Sequence, residues 1–95
     1  MHINEIDTLL NENIFLLDVR EEFEYEAGHI KKSTLIPMKQ LGQRLEELPQ
    51  DETLYVYCHS GGRSQMVVDV LNSRGFEAIN LEGGFSEYTG SYRED

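Results

Sequence analysis

The sequence has no tryptophan, one cysteine and only two prolines in 95 residues. One cysteine cannot close an internal disulfide, which points to a reducing compartment. No apolar run nears the roughly 18 residues that a membrane helix needs. The stretch from Met1 to Phe15 lacks a cationic start and an unbroken apolar core, so no secretory signal is expected. Glu5, Asp7 and Glu12 in the same stretch argue against a transit peptide. Basic residues are scarce: Lys and Arg number 8 against 18 Asp and Glu, a formal net charge of −10. Such a surface repels phosphates and anionic lipid, which disfavours nucleic acid and membrane as partners. The acidity serves solubility first and permits docking to a basic protein second. There is no repeat, low-complexity tract or linker. One cytoplasmic domain over residues 1–95 is therefore expected, with 89–95 fraying.

The apolar residues fall in an alternating order of strands and helices. Ile3, Ile6, Leu9 and Leu10 lie at helical spacing, with Asn4 as N-cap and Asp7 three residues on. Ile14–Leu17 is a short unbroken apolar run, as in a strand covered on both faces. Residues 21–27 predict a short helix stopped by Gly28. "STLIP" is a second strand, and Met38, Leu41 and Leu45 mark another helix face. Thr53–Tyr57 is a third strand. Met66, Val67, Val70 and Leu71 predict a one-sided helix with Gly75 at C′. "FEAINL" is a fourth strand, and a last short helix spans Phe85–Tyr88. This order predicts an α/β fold of three layers, a mostly parallel sheet of four to five short strands with helices on both faces. Ligands of such sheets bind beyond the carboxyl ends of the strands, where Cys58 stands.

Cys58-His59-Ser60-Gly61-Gly62-Arg63-Ser64 joins the third strand to its helix. Glycines let the chain turn tightly and aim several N–H groups at one point. The helix start adds free N–H groups and the positive end of its dipole, and Arg63 adds a charge. The result is an anion cradle with the Cys58 sulfur at its floor or rim. A lone cysteine is more often a small buried hydrophobe, but this context favours a nucleophile. Lowering a thiol pKa from about 8.5 to about 6.5 raises the thiolate fraction about 25-fold at neutral pH. Lost nucleophilicity takes back roughly 8-fold, so the net gain is only about threefold. The loop must therefore act mainly by holding an anionic substrate and a charged intermediate. A zinc site is not expected, because Cys58 and His59 are adjacent and His2 and His29 form no ligand-spaced pair.

"LLDVREEFEYEAGHIKKSTLIP", "VYCHSGGRS" and "GFEAINLEGGFSEY" stand in that order between Leu16 and Tyr88. In these motifs the chain resembles the rhodanese-like family of single-domain sulfurtransferases. The resemblance implies that Cys58 takes the outer sulfur of a small anionic donor such as thiosulfate, releases sulfite and becomes a persulfide. An external thiol or cyanide, or a protein sulfur acceptor, then removes it. The amides from His59 to Ser64 would hold the persulfide, and Arg63 the anionic donor. No cofactor is implied. Cell-cycle dual-specificity phosphatases share the fold but have five residues between Cys and Arg. Here there are four, His59, Ser60, Gly61 and Gly62, a cradle too tight for a phosphoryl group. A persulfide carrier or docking module is the alternative, and a phosphatase or arsenate reductase a weaker one. The chain departs from the family at Tyr88, where tryptophan is frequent, and at Met66, Val67 and Val68, where smaller residues are frequent.

Other residues have a structural reading beside the chemical one. Asp18 and Arg20 end the first strand and offer support to the loop, although Arg20 could instead pair with Glu24 and fix the turn. His29 reads as a buried hydrogen-bonded histidine rather than a general base. His59 could face the pocket mouth or solvent. Ser64 could donate to the persulfide, cap the helix, or both. Tyr55 and Tyr57 read as strand packing.

Overall fold

A computed structural model describes residues 1–95. Its elements are β1 (Phe15–Asp18), α1 (Glu22–Ala27), β2 (His29–Ile30), β3 (Ser33–Leu35), β4 (Leu54–Tyr57), α2 (Gly62–Ser73), β5 (Ala78–Asn80) and β6 (Arg93–Glu94). Four strands form one parallel sheet in the order β3-β1-β4-β5. Asp18 stands beside Leu35 on one side and Tyr57 on the other, so the carboxyl ends of the strands align. Cys58 follows at that edge.

Alternation along the strands sends side chains to two cores. Leu17, Val19, Leu54 and Val56 pack on one face with Val67, Val68 and Leu71 of α2 and with Leu41 and Leu48. Leu16 and Tyr57 pack on the other face with Ile3, Ile6, Leu10, Leu81 and Phe85. Both faces are therefore covered, as a parallel sheet requires. The second face is covered by short 3-10 segments, Ile3–Thr8 and Phe85–Glu87, rather than by α-helices. The segment expected to form a helix around Met38 and Leu45 is likewise two 3-10 turns, Met38–Gln43 and Leu45–Glu47.

Two expectations need correction. The first turn is capped by His2, not Asn4: His2 Nδ1 accepts from the Asn4 amide, and Glu5 accepts from the His2 amide at 2.8 Å. Asn4 instead reaches across the fold to Glu87 and Thr89. The buried stripe of α2 is Ser64, Val67, Val68 and Leu71, whereas Met66 and Val70 are exposed. The apolar period was legible, but its phase is set by where the helix begins, one turn after Cys58. In the C-terminal stretch, where only a frayed tail is expected, Arg93–Glu94 pairs antiparallel with His29–Ile30.

Tyr88 accounts for that ordered end. Its ring is buried, its hydroxyl donates to Asp7 at 2.6 Å, and the same oxygen accepts from the Tyr92 amide at 3.0 Å. Burial first, then the Asp7 carboxylate, push its pKa up to about 12. Tryptophan has a donor but no acceptor and could not make both bonds. Replacing Tyr88 by Phe leaves the Tyr92 amide and Asp7 without this partner, a cost of about 1–2 kcal/mol. Denaturant melts should show that loss, with faster hydrogen exchange at the Tyr92 amide; unchanged exchange there would contradict the assignment.

Candidate active site

Cys58 directly follows β4 and is 1% exposed. Its Sγ accepts from the amide of Gly61 at 3.1 Å and from the amide of Ser64 at 3.3 Å. Gly61 holds the left-handed conformation that turns the chain into α2, with φ at +106°. It offers no side chain to cap the helix, and the sulfur accepts in its place. Ser64 is not the cap: its hydroxyl lies against Gly61 O and Asn80 Oδ1. Burial is the largest influence on the thiol and pushes its pKa up. The Ser64 hydroxyl, then the amides of Ser64, Gly61 and Ser60, outweigh it and leave the pKa below the ordinary thiol value.

The Ser64 hydroxyl has one proton to give. Asn80 Nδ2 donates to Gln65 Oε1, and Gln65 Nε2 donates to Asp69. A carboxylate can only accept, so with Gln65 Nε2 on Asp69 this chain turns Asn80 Oδ1 toward Ser64 and draws the hydroxyl proton away from the sulfur. With the thiol in this geometry, the amides of Gly61 and Ser64 are the donors aimed at the sulfur.

A second stretch of backbone fixes the loop from behind. The amides of Phe85 and Ser86 donate to the carbonyls of Cys58 and His59 at 2.8 and 2.9 Å. Gly84 makes this approach possible. A Cβ there would stand 2.5 Å from His59 O, and its φ of +64° also favours glycine.

The charged residues are arranged differently from the sequence expectation. Arg20 does not pair with Glu24. It grips Asp18 with Nε and Nη2, and Nη2 also donates to the carbonyl of Gly28 at 2.7 Å. Both side chains are buried, so the pair ties the end of β1 to the entry of β2. Glu24 instead forms a two-pronged pair with Arg63, at 2.8 and 3.0 Å. Arg63 is thus already paired within the fold, although the Cys58 thiolate lies within its field. The Arg63 guanidinium, against a smaller opposing effect of burial, lowers the Glu24 pKa to about 2.

His29 Nδ1 donates to the Tyr25 carbonyl at 2.8 Å and the imidazole stacks on the Tyr25 ring, a structural histidine. Tyr57 is buried and its oxygen accepts from the Ile30 amide, in keeping with strand packing. His59 is exposed and lines a cavity with Arg20, Phe23, Phe85 and Arg93. No group of three His, Cys, Asp or Glu side chains is placed to hold a metal ion. Asn80 and Gly84 belong to this site without a sequence expectation, and Glu24, expected only as a partner for Arg20, belongs to it through Arg63. The one available signal was for Gly84, in a Gly-Gly pair just after a strand.

The family model for the rhodanese-like domain matches residues 3–91. The chain belongs to the rhodanese-like domain family. A crystal structure of a rhodanese-like domain protein from Staphylococcus aureus superimposes with a TM-score of 0.91 at 30% identity, over 99% of this chain and 94% of that one. A protein of Allochromatium vinosum named "Sulfurtransferase" is 32% identical over 90 residues, covering 86% of this chain and 84% of the relative. The "Putative sulfur carrier protein YrkF" of Bacillus subtilis is 38% identical over 81 residues, 84% of this chain. This rhodanese-like domain spans 44% of the length of YrkF.

The Glu24–Arg63 pair gives this domain a pH signature. A carboxyl group of ordinary pKa 4.5 that folding lowers to about 2 adds stability in full above 4.5 and loses it as pH falls through 2. Partial solvation of the pair limits its worth to about 1 kcal/mol. Glu24→Gln should therefore be less stable than wild type by about that amount at neutral pH, with the gap closing as pH falls from 4.5 toward 2 in urea melts. A gap independent of pH would show that the ion pair is not its source.

Proposed function

We propose that this chain transfers sulfane sulfur through a persulfide on Cys58. One observation carries the reading: the Cys58 sulfur accepts two converging main-chain amides, from Gly61 and Ser64. That arrangement suits a sulfur anion, before and after a second sulfur is added. The Cys58 thiolate attacks the outer sulfur of a donor such as thiosulfate. The new S–S bond forms as the old one breaks, and sulfite leaves with the bonding pair. A thiolate or cyanide then attacks the outer sulfur of the persulfide, and Cys58 departs as thiolate. His59, Ser60, Gly61, Gly62, Arg63 and Ser64 form the substrate loop in this reading. Asp18 and Arg20 support it from the end of β1. The acceptor comes from outside, because the sequence has no second cysteine.

Burial supports sulfur over phosphate. With Cys58 at 1% exposure and four residues between Cys58 and Arg63, the sulfur meets a donor end-on at the bottom of a narrow loop. A terminal sulfane atom fits that approach; a tetrahedral phosphoryl group does not. A persulfide carrier that hands sulfur to a protein is the second reading, favoured by the name of YrkF and by the charge of −10. No helix is long and apolar enough to cross a membrane, and the cytoplasm is the compartment in which a lone reduced thiol would serve this chemistry.

Wild type incubated with thiosulfate should gain one sulfur on the Cys58 peptide by mass spectrometry and form thiocyanate on addition of cyanide. Cys58→Ser should do neither. Equal thiocyanate formation by both proteins would end the proposal. Slow turnover with cyanide or small thiols but rapid sulfur exchange with one partner protein would select the carrier reading.

A further inference from the structure

The cavity beside the loop has a volume of about 290 Å³, more than thiosulfate fills. Its walls combine cations with aromatic rings. Arg20 lines it and is 2% exposed. Nε and Nη2 of Arg20 are taken by Asp18 and the Gly28 carbonyl, while Nη1 has no protein acceptor. No buried side-chain nitrogen or oxygen in the protein lacks a partner, so Nη1 is the part of Arg20 that reaches the cavity. Arg93, on the C-terminal strand β6, lines the same cavity. Its Nε is held by Asp95 at 2.7 Å, and its two terminal nitrogens have no acceptor.

Both guanidiniums lie over the Phe85 ring, at 4.5 and 4.8 Å from its centroid. Gly28 permits this closeness, since a Cβ there would come 3.2 Å from Arg93 Nη2 and 2.8 Å from the Asp95 carboxylate. Phe23 and Ala27 add apolar lining, and Phe23 is 72% exposed. His59 joins the cavity to the loop that carries Cys58. Glu24, the carboxylate on this wall, is committed to Arg63.

We propose that this cavity is a subsite for a small organic thiol carrying a carboxylate, with Arg20 Nη1 and Arg93 holding the carboxylate and Phe23, Ala27 and Phe85 covering its short carbon stem. The thiol end then faces the His59 side, toward the loop. This rests on the sulfur-transfer reading for the thiol's role, but the carboxylate preference stands apart from it. In a chain of net charge −10, attraction for an anion has to be local. Asp95 is the internal competitor. Its pair with Arg93 is exposed and weak, and an incoming carboxylate that meets both guanidiniums displaces it.

The test separates binding from chemistry. Full-length protein is titrated with 3-(methylthio)propionate, which cannot accept sulfur, and with its methyl ester, by NMR. The acid should shift the Arg93, Phe85 and His59 signals saturably and bind at least about fivefold tighter than the ester. Arg93→Gln should weaken the acid about fivefold and leave the ester unchanged, and Asp95→Asn should strengthen the acid. Equal binding of acid and ester, shifts elsewhere, or no effect of Arg93→Gln overturns the subsite whatever Cys58 does. In parallel, persulfidated protein is offered 3-mercaptopropionate and its methyl ester, where the subsite predicts a KM lower for the acid by the same factor. Failure to form the persulfide at all would count against sulfur transfer alone, and the NMR titration would still decide the subsite.

Discussion

The sulfur of Cys58 occupies the place of a helix cap. Helix α2 begins at Gly62 with its first amides unpaired, as every helix does. In most helices an oxygen of Ser, Thr, Asp or Asn accepts from such an amide. Here Gly61 stands at the cap position, and the acceptor is Sγ of a residue three positions earlier. Helix and thiolate thus stabilise each other. The helix supplies positive potential to a sulfur that burial alone would keep protonated, and the sulfur satisfies donors that glycine cannot.

The rest of the fold holds that contact in place. The parallel sheet aligns its carboxyl ends, so the chain leaving β4 meets the chain leaving β1 at one edge. Asp18 and Arg20 lock the first exit; the Phe85 and Ser86 amides lock the second by binding the Cys58 and His59 carbonyls. The loop is clamped on its backbone, with the Cys58 and Ser64 side chains buried and those of His59 and Ser60 exposed. Glu24 from α1 and Asn80 from β5 then set the state of Arg63 and Ser64 from either side. A guanidinium balanced by Glu24 adds little net field to the sulfur, which leaves the amides as the main source.

Strand positions, the exit of Cys58 from β4 and the glycine turn were legible because they depend on local pattern: apolar runs, a Gly-Gly pair and a helix after it. Gly75 ends α2 as its place after the last apolar residue suggested. Partnerships across the sheet were not legible. Arg20 choosing Asp18 over Glu24, and Glu24 choosing Arg63 at a separation of 39 residues, depend on where α1 packs. The phase of α2 was misjudged because Met66 and Val70 have the same spacing as Val67 and Leu71. Only the anchoring of Ser64 at the sulfur decides which pair turns inward. The ordered C-terminus depends on Tyr88 and Asp7, 81 residues apart, and polar composition there suggested only fraying.

The most direct measurement is the pH titration of thiolate absorbance at 240 nm, which is clean because the sequence has one cysteine. If main-chain amides hold the sulfur as an anion, the thiolate appears with a midpoint below that of an ordinary cysteine, and unfolding the protein in guanidinium raises the midpoint. A midpoint at or above the ordinary value in the folded protein would mean that burial dominates and would contradict the account.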